Sequence, residues 1–397
     1  MREAAFDNAI AFARDLIRIP SLPGEEGELA ARVLRELESL GFDEAWTDEA
    51  GNVLGRVRGT GDGPAVMLSC HLDAVDVGDP DAWPHAPFAA DLADGFLHGR
   101  GAMDIKGPLA LQTYAAARFL NARLPGDVII AHTVLEERGG LGMDALLRLG
   151  EVRPQAVIIG EATAGDIAIG HRGRAEIVVE VLGIAGHASA PERACNPLAV
   201  LPALLPAIER FAGMLADDTV LGGSTLAPTM VETLPRSRNV IPDRVRVILD
   251  WRVLPGLDAD DAVSTLDRFL RDTVRLPPGY GLDVRFAVEA QRTYTGLAEQ
   301  RRLFTPGFLL DANHPVALAA ADAVDRATGR KPAIRPWTFA TDGGHTCGIH
   351  HIPTVGYAPG EERYAHTNQE RLSLEDARTA YEAYPTVIEA VQRSVDT

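Results

Sequence analysis

The chain has 397 residues, 46% of them hydrophobic and 24% charged, and carries a formal net charge of −18. That length exceeds the usual size of one hydrophobic core, so two domains are expected, and the acidic excess argues against nucleic acid and anionic membranes as partners, since both are met with basic patches. No apolar run approaches the ~18 residues of a membrane span, the first residues are polar and already periodic rather than leader-like, and Cys70, Cys195 and Cys347 show no paired spacing, so a cytoplasmic, reducing compartment is expected.

Phe6, Ile10, Phe12, Leu16 and Ile17 are spaced as one face of an amphipathic helix. Residues 24–40 then read as a helix, 52–58 and 65–70 as strands, 106–120 as a helix, 127–135 as a strand, 141–149 as a helix and 156–160 as a strand. Such alternation predicts a sheet with parallel character, flanked by helices. The pattern then changes: strand 175–181, helix 197–211, strands 227–233 and 244–253, helix 259–275 and strand 283–288 follow in β-α-β-β-α-β order, which describes a ferredoxin-like α+β unit. From residue 315 the first pattern resumes, with helix 316–328, strand 353–357 and helix 374–393. The expected organisation is an α/β domain with a mostly parallel central sheet, formed by residues 1–172 and 291–397, into which an α+β domain of residues 173–290 is inserted.

The residues with chemistry to offer stand at strand ends. Val66-Met67-Leu68-Ser69-Cys70 leads into His71, with Asp73 two residues on; Val128-Ile129-Ile130-Ala131 and Val134-Leu135 lead into Glu136-Glu137; Val157-Ile158-Ile159-Gly160 leads into Glu161. Asp104 lies on a glycine-flanked turn before a helix, and His366 follows the last strand. Ligands of open α/β sheets bind beyond the strand carboxyl ends, so these imidazoles and carboxylates should meet at one sheet edge. Singly each has a plainer role, a helix cap for Asp104 or a solvated loop for Glu136-Glu137. Their recurrence on several strand ends points to a metal, because uncompensated burial of so many carboxylates is expensive. A dinuclear site explains the inventory: two ions ~3.5–4 Å apart, of the zinc class with cobalt or manganese possible, can share a bridging carboxylate and hold a hydroxide between them. One of Glu136 and Glu137 would be a ligand and the other a general base, with Asp73 accepting from His71 to fix its tautomer. The reading from another class is a non-catalytic homodimeric binding protein whose metal serves folding alone; the acid left over beside the ligands argues against it.

The segments Ser69-Cys70-His71-Leu72-Asp73-Ala74-Val75, residues 99–107, Leu135-Glu136-Glu137, Gly160-Glu161-Ala162-Thr163 and Ala365-His366-Thr367-Asn368 resemble, in order, the metal-site motifs of the co-catalytic zinc aminoacylase and peptidase family. That family includes acetylornithine deacetylase, succinyl-diaminopimelate desuccinylase and glutamate carboxypeptidase. The resemblance implies a catalytic domain with an inserted dimerisation (lid) domain, and a homodimer. It makes His71 and Glu161 ligands of one ion, Glu137 and His366 ligands of the other, Asp104 the bridge, Glu136 the base and Asp73 the residue that orients His71. It also implies that His187 reaches the partner subunit's active site, and that Asn239, Arg252 and Thr341 bind substrate, an N-acyl amino acid or short peptide. Deacylation is the preferred activity and dipeptidase or carboxypeptidase action the alternative. Two departures, Cys70 and Pro108 where the family commonly has glycine, remove no ligand.

Overall fold

Strands Gly63–His71, Gly126–Thr133 and Ala156–Ile159 run parallel at the centre of an eight-stranded sheet in the computed structural model, which describes residues 2–395. The sheet order is Glu44–Thr47, Val53–Val57, Gly126–Thr133, Gly63–His71, Ala156–Ile159, Thr354–Gly356, Ile167–Ala168 and Ile334–Arg335, with the antiparallel pairs set outside the central four strands. These central strands are almost continuously apolar and buried, as expected of strands covered on both faces. Helices Lys106–Ala117 and Leu374–Ser394 pack on Gly63–His71, and Gly27–Leu40 packs on Val53–Val57. The register decides where the chemistry goes. His71 lies opposite Thr133 and Ser69 opposite Ile159, so the loops after all three strands leave from one edge.

The chain folds into two compact units. The first comprises Met1–His171, Gln291–Glu299 and Leu309–Thr397, the second Arg172–Ala290 and Gln300–Phe308. The expected span 291–397 is thus interrupted: Thr305 and Phe304 pair with Arg174 and Ala175, which returns residues 300–308 to the second unit. A charged run such as Glu299-Gln300-Arg301-Arg302 carries no strand periodicity that would have signalled this.

The second unit is an antiparallel sheet in the order Thr225–Leu234, Arg244–Val253, Gly173–Leu182 and Gly281–Phe286, with helices Leu201–Ala212 and Ala259–Thr273. Its period-2 pattern is strict in Arg244–Val253, where Val245, Val247, Leu249, Trp251 and Val253 are buried on the side of Leu204, Ile208, Leu266 and Leu270. Two elements end differently from expectation. The strand expected over 127–135 stops at Thr133 because Leu135 takes a left-handed conformation (φ 56°). The helix expected over 197–211 begins as a 3₁₀ turn, Pro197–Val200, and is α-helical from Leu201. No described helix is long and apolar enough to cross a membrane.

Candidate metal centre

His71 ends its strand buried, its side chain 2% exposed, and its Nδ1 donates to the main-chain carbonyl of Asp73 at 2.8 Å. That bond selects the tautomer in which Nε2 keeps its lone pair. Nε2 lies 3.2 Å from Asp104 Oδ1 and 3.3 Å from Glu161 Oε1. The second imidazole mirrors the arrangement: His366 Nε2 is 3.2 Å from Asp104 Oδ2 and 2.9 Å from Glu137 Oε1. Asp104 therefore offers one oxygen to each imidazole, and each imidazole has a carboxylate of its own. The halves differ in access, since the His366 side chain is 52% exposed. His366 itself has φ 59°, a conformation uncommon for a non-glycine residue and a sign of a loop fixed by its surroundings.

Ligand atoms of His71, Glu136 and Glu161 lie within 4.8 Å of one another, as do those of His71, Asp104 and Glu137. Distance from His71 thus does not separate the adjacent acids; the imidazole of His366, bonded to Glu137, does. Burial, together with the charges of Glu161, Asp342 and Glu137, raises the Glu136 carboxyl well above the ordinary range. Burial and the Asp104 charge push Glu161 up to about 7. For Asp104 burial also disfavours the anion, but His366 and His71 in their protonated forms outweigh it and hold the carboxyl low. A largely enclosed set of two imidazoles and four carboxylates, open on the His366 side, is a borderline-metal donor set, and divalent cations are the simplest balance for its negative charge.

The amides of residues 134–137 and the carbonyls of Arg138 and Gly139 are held by buried side chains, while the Val134, Leu135 and Glu136 carbonyls accept from the Gly142, Gly140 and Gly139 amides of the same turn. Val134 N–H donates to Asn52 Oδ1 (3.0 Å), Leu135 N–H to Glu26 Oε1 (3.2 Å), and Glu136 and Glu137 N–H to the two oxygens of Asp73 (3.1 and 3.0 Å). The Gly139 carbonyl faces His345 Nε2 at 3.0 Å, and the Arg138 carbonyl accepts from Gln291 Nε2 at 2.6 Å. Gly140 (φ 74°) must be glycine here, because a Cβ would meet the His345 ring at 2.6 Å and Asp342 Oδ1 at 2.8 Å. Asp73 faces His71 with both groups, its carbonyl 2.8 Å and its Oδ1 3.5 Å from Nδ1, and its carboxylate also spans the Glu136-Glu137 amides.

Two residues behind the site, Glu370 and Arg100, were missed, and a third, Lys106, stood out in the sequence only by its position and as one of two lysines. Glu370 is fully buried; Oε1 accepts from the Met103 and Asp104 amides at 3.1 and 3.0 Å, and Oε2 pairs with Arg100 at 2.6 Å. Lys106 is buried, donates to the Ile19 carbonyl at 2.7 Å, and is pulled down to about 7 by burial. The available signal for Glu370 was its place four residues after His366.

Of the remaining candidates, Thr341 belongs to the first unit and His187, Asn239 and Arg252 to the second. Thr341 is fully buried, and its Oγ1 accepts from the Gly343 amide at 3.0 Å. In this structure the hydroxyl fixes the turn. In the second unit, exposed His187 and Asn239 share a short ladder, with Ala188 N–H donating to the Asn239 carbonyl. Ser189 N–H donates to His187 Nδ1 at 3.1 Å, which leaves the ring proton of the neutral imidazole on Nε2. Arg252 lies in the larger sheet with Nε 2.8 Å from Asp250 Oδ1.

The model of peptidase family M20/M25/M40 matches residues 67–390. A succinyl-diaminopimelate desuccinylase of Methylorubrum extorquens is 31% identical, over 96% of this chain and 98% of its own. Among solved structures, the M20 family metallo-carboxypeptidase Sso-CP2 from Sulfolobus solfataricus is similar with a TM-score of 0.78 and 18% identity, covering 97% of this chain and 99% of that one. The Bacillus subtilis YXEP protein, described as a dinuclear metal binding peptidase of the M20 family, gives 0.72 and 18%, covering 99% of each chain. The chain belongs to the M20/M25/M40 peptidase family and is a metal-dependent hydrolase of amide bonds.

Proposed function

We propose that this family member is an N-acyl amino acid deacylase, working as a homodimer in the cytoplasm with two divalent ions at the sheet edge, zinc first and cobalt or manganese as substitutes. The carrying observation is Asp104, whose two oxygens each meet one imidazole. His71 with Glu161 would hold one ion, Glu137 with His366 the other, and Asp104 both. When bound, such ions supply Lewis acidity toward a scissile carbonyl and lower the pKa of water.

Glu136 accepts the proton of the attacking water and passes it to the leaving nitrogen. Its burial and raised affinity for a proton suit both transfers. Asp73 fixes the peptide planes of Glu136 and Glu137, so the base cannot swing away between the two transfers. His187, donating from Nε2, serves as the oxyanion donor in a partner subunit's site, with Asn239 beside it. Arg252 binds the substrate carboxylate by exchanging it for Asp250.

Deacylation is preferred because the desuccinylase relative is 31% identical, whereas the carboxypeptidase is similar at 18%. Chelated and reloaded protein should be assayed on N-acetyl amino acids and on dipeptides with free amines. Faster turnover of the acylated amino acids is expected. Preference for dipeptides would favour the peptidase reading, and equal rates with and without metal would overturn both.

A further inference from the structure

The stretch Gln291–Glu299 is the first chain of the catalytic unit after the insertion, and it is seated tightly there. The Tyr294 ring lies against two glycines. A Cβ on Gly51 would fall 2.5 Å from its Cε1, and one on Gly27 3.0 Å from its Cδ2, while a Cβ on Gly24 would fall 2.9 Å from the Arg292 carbonyl oxygen. Tyr294 OH donates to the Gly51 carbonyl at 2.9 Å and Thr295 Oγ1 to the Glu49 carbonyl at 2.8 Å. The ring is thus keyed between loops 24–27 and 48–52. Those same loops supply Glu26 and Asn52, which hold the amides of Leu135 and Val134. Three residues before Tyr294, Gln291 is 4% exposed and donates to the Arg138 carbonyl, one residue past Glu137.

We propose that residues 291–299 position the base: Gln291 is a positioning residue that acts through the 134–142 turn, and Tyr294 anchors it. Every bond in this chain of contacts ends on a main-chain group of the turn that carries Glu136 and Glu137, or of a loop that holds it. The segment closes the turn at the Arg138 carbonyl directly, and at the Val134 and Leu135 amides through the two loops it wedges. The proposal rests on Glu136 being the base, and it goes beyond that reading by assigning the base's placement to chain that follows the insertion.

Gln291→Met removes the donor and keeps the volume. It should lower kcat about tenfold, the order expected from a sub-ångström misplacement of a reacting group, with KM within about twofold, zinc content unchanged and Tm a few degrees lower for the orphaned carbonyl. Gln291→Leu, of similar size and also without a donor, should match it. Gly27→Ala, which crowds Tyr294 from the opposite side, should lower kcat in the same way. In a Glu136→Asp background the effect of Gln291→Met should shrink, since a group that acts through the base is non-additive with it. Full turnover by Glu136→Gln would refute the base assignment itself. If Glu136→Gln is inactive while Gln291→Met keeps wild-type kcat, or loses kcat additively with Glu136→Asp, the positioning role is wrong although the base assignment stands.

Discussion

The sheet edge of the first unit and the His187 region of the second are built in opposite ways. At the edge, His71 is 2% exposed, Asp104 touches two imidazoles, and each amide from Val134 to Glu137 has a buried side-chain acceptor. Around His187 the side chains are exposed, and the imidazole bonds only two residues away, to Ser189. Groups that must hold their geometry through proton transfer gain from such overdetermination. An exposed imidazole with few buried contacts is not fixed in this way. Substitutions at the edge should therefore act on kcat and metal together or on kcat alone, according to which layer they touch, while those at His187 should spare the metal.

The largest effect is expected at Glu136. Glu136→Gln should lower kcat about 10²–10⁴-fold, the usual worth of general acid-base catalysis, with metal content retained; a loss of metal equal to the loss of rate would make Glu136 a ligand instead. His187→Ala should cost about 10²–10³-fold in kcat, as for removal of one oxyanion donor, with zinc content unchanged. Mixing His187→Ala with Glu136→Gln subunits should restore activity in exchanged heterodimers, and a failure to do so would return His187 to a contact within its own chain.

Asp73→Asn sharpens the comparison inside the edge itself. Asparagine keeps the carbonyl that orients His71 but can accept from only one of the two amides, so one buried N–H loses its partner, at a cost of about 1–3 kcal/mol. A fall in kcat of about tenfold with unchanged zinc affinity is expected. A fall in zinc affinity of about 10–100-fold would show instead that the carboxylate acts on His71.

The smallest effect on turnover is expected at Glu26, which is buried and lies at the back of the turn. Burial, then the charge of Asp73, push its carboxyl from 4.5 up to about 7. Between those values the folded chain binds the proton more tightly than the unfolded chain, so this group favours folding at low pH and loses that contribution as pH rises through about 7. Glu26→Gln should flatten the decline in stability from pH 5 to 8 by up to about 3 kcal/mol, at 1.36 kcal/mol per unit, with little change in rate. An unchanged pH slope in thermal melts would contradict it.

The parts of this molecule that were legible in the sequence are those where periodicity and position coincide. The apolar runs before His71, Glu136 and Glu161 marked both the strands and the acid- and imidazole-bearing loops after them, and the change to alternation at residues 175–181 marked the second unit. Glu370 and Asn52 were illegible because their partners are main-chain amides far along the chain, which no spacing encodes. The three-stranded sheet of Asp91–Ala93, Phe96–His98 and Arg371–Ser373 was missed for a related reason: strands of three residues carry too little pattern. The hydroxyl of Thr341 turns inward to Gly343, a direction that no sequence motif encodes.

The central claim is that the paired imidazoles and carboxylates at this sheet edge bind two ions and that hydrolysis depends on them. Calorimetric titration of the chelated protein with zinc, with N-acyl amino acid hydrolysis followed on the same samples, tests it most directly. Two ions per chain, with activity absent before loading and restored by it, is the predicted result. Full activity in the chelated protein, or saturation at a single ion with full activity, would contradict it.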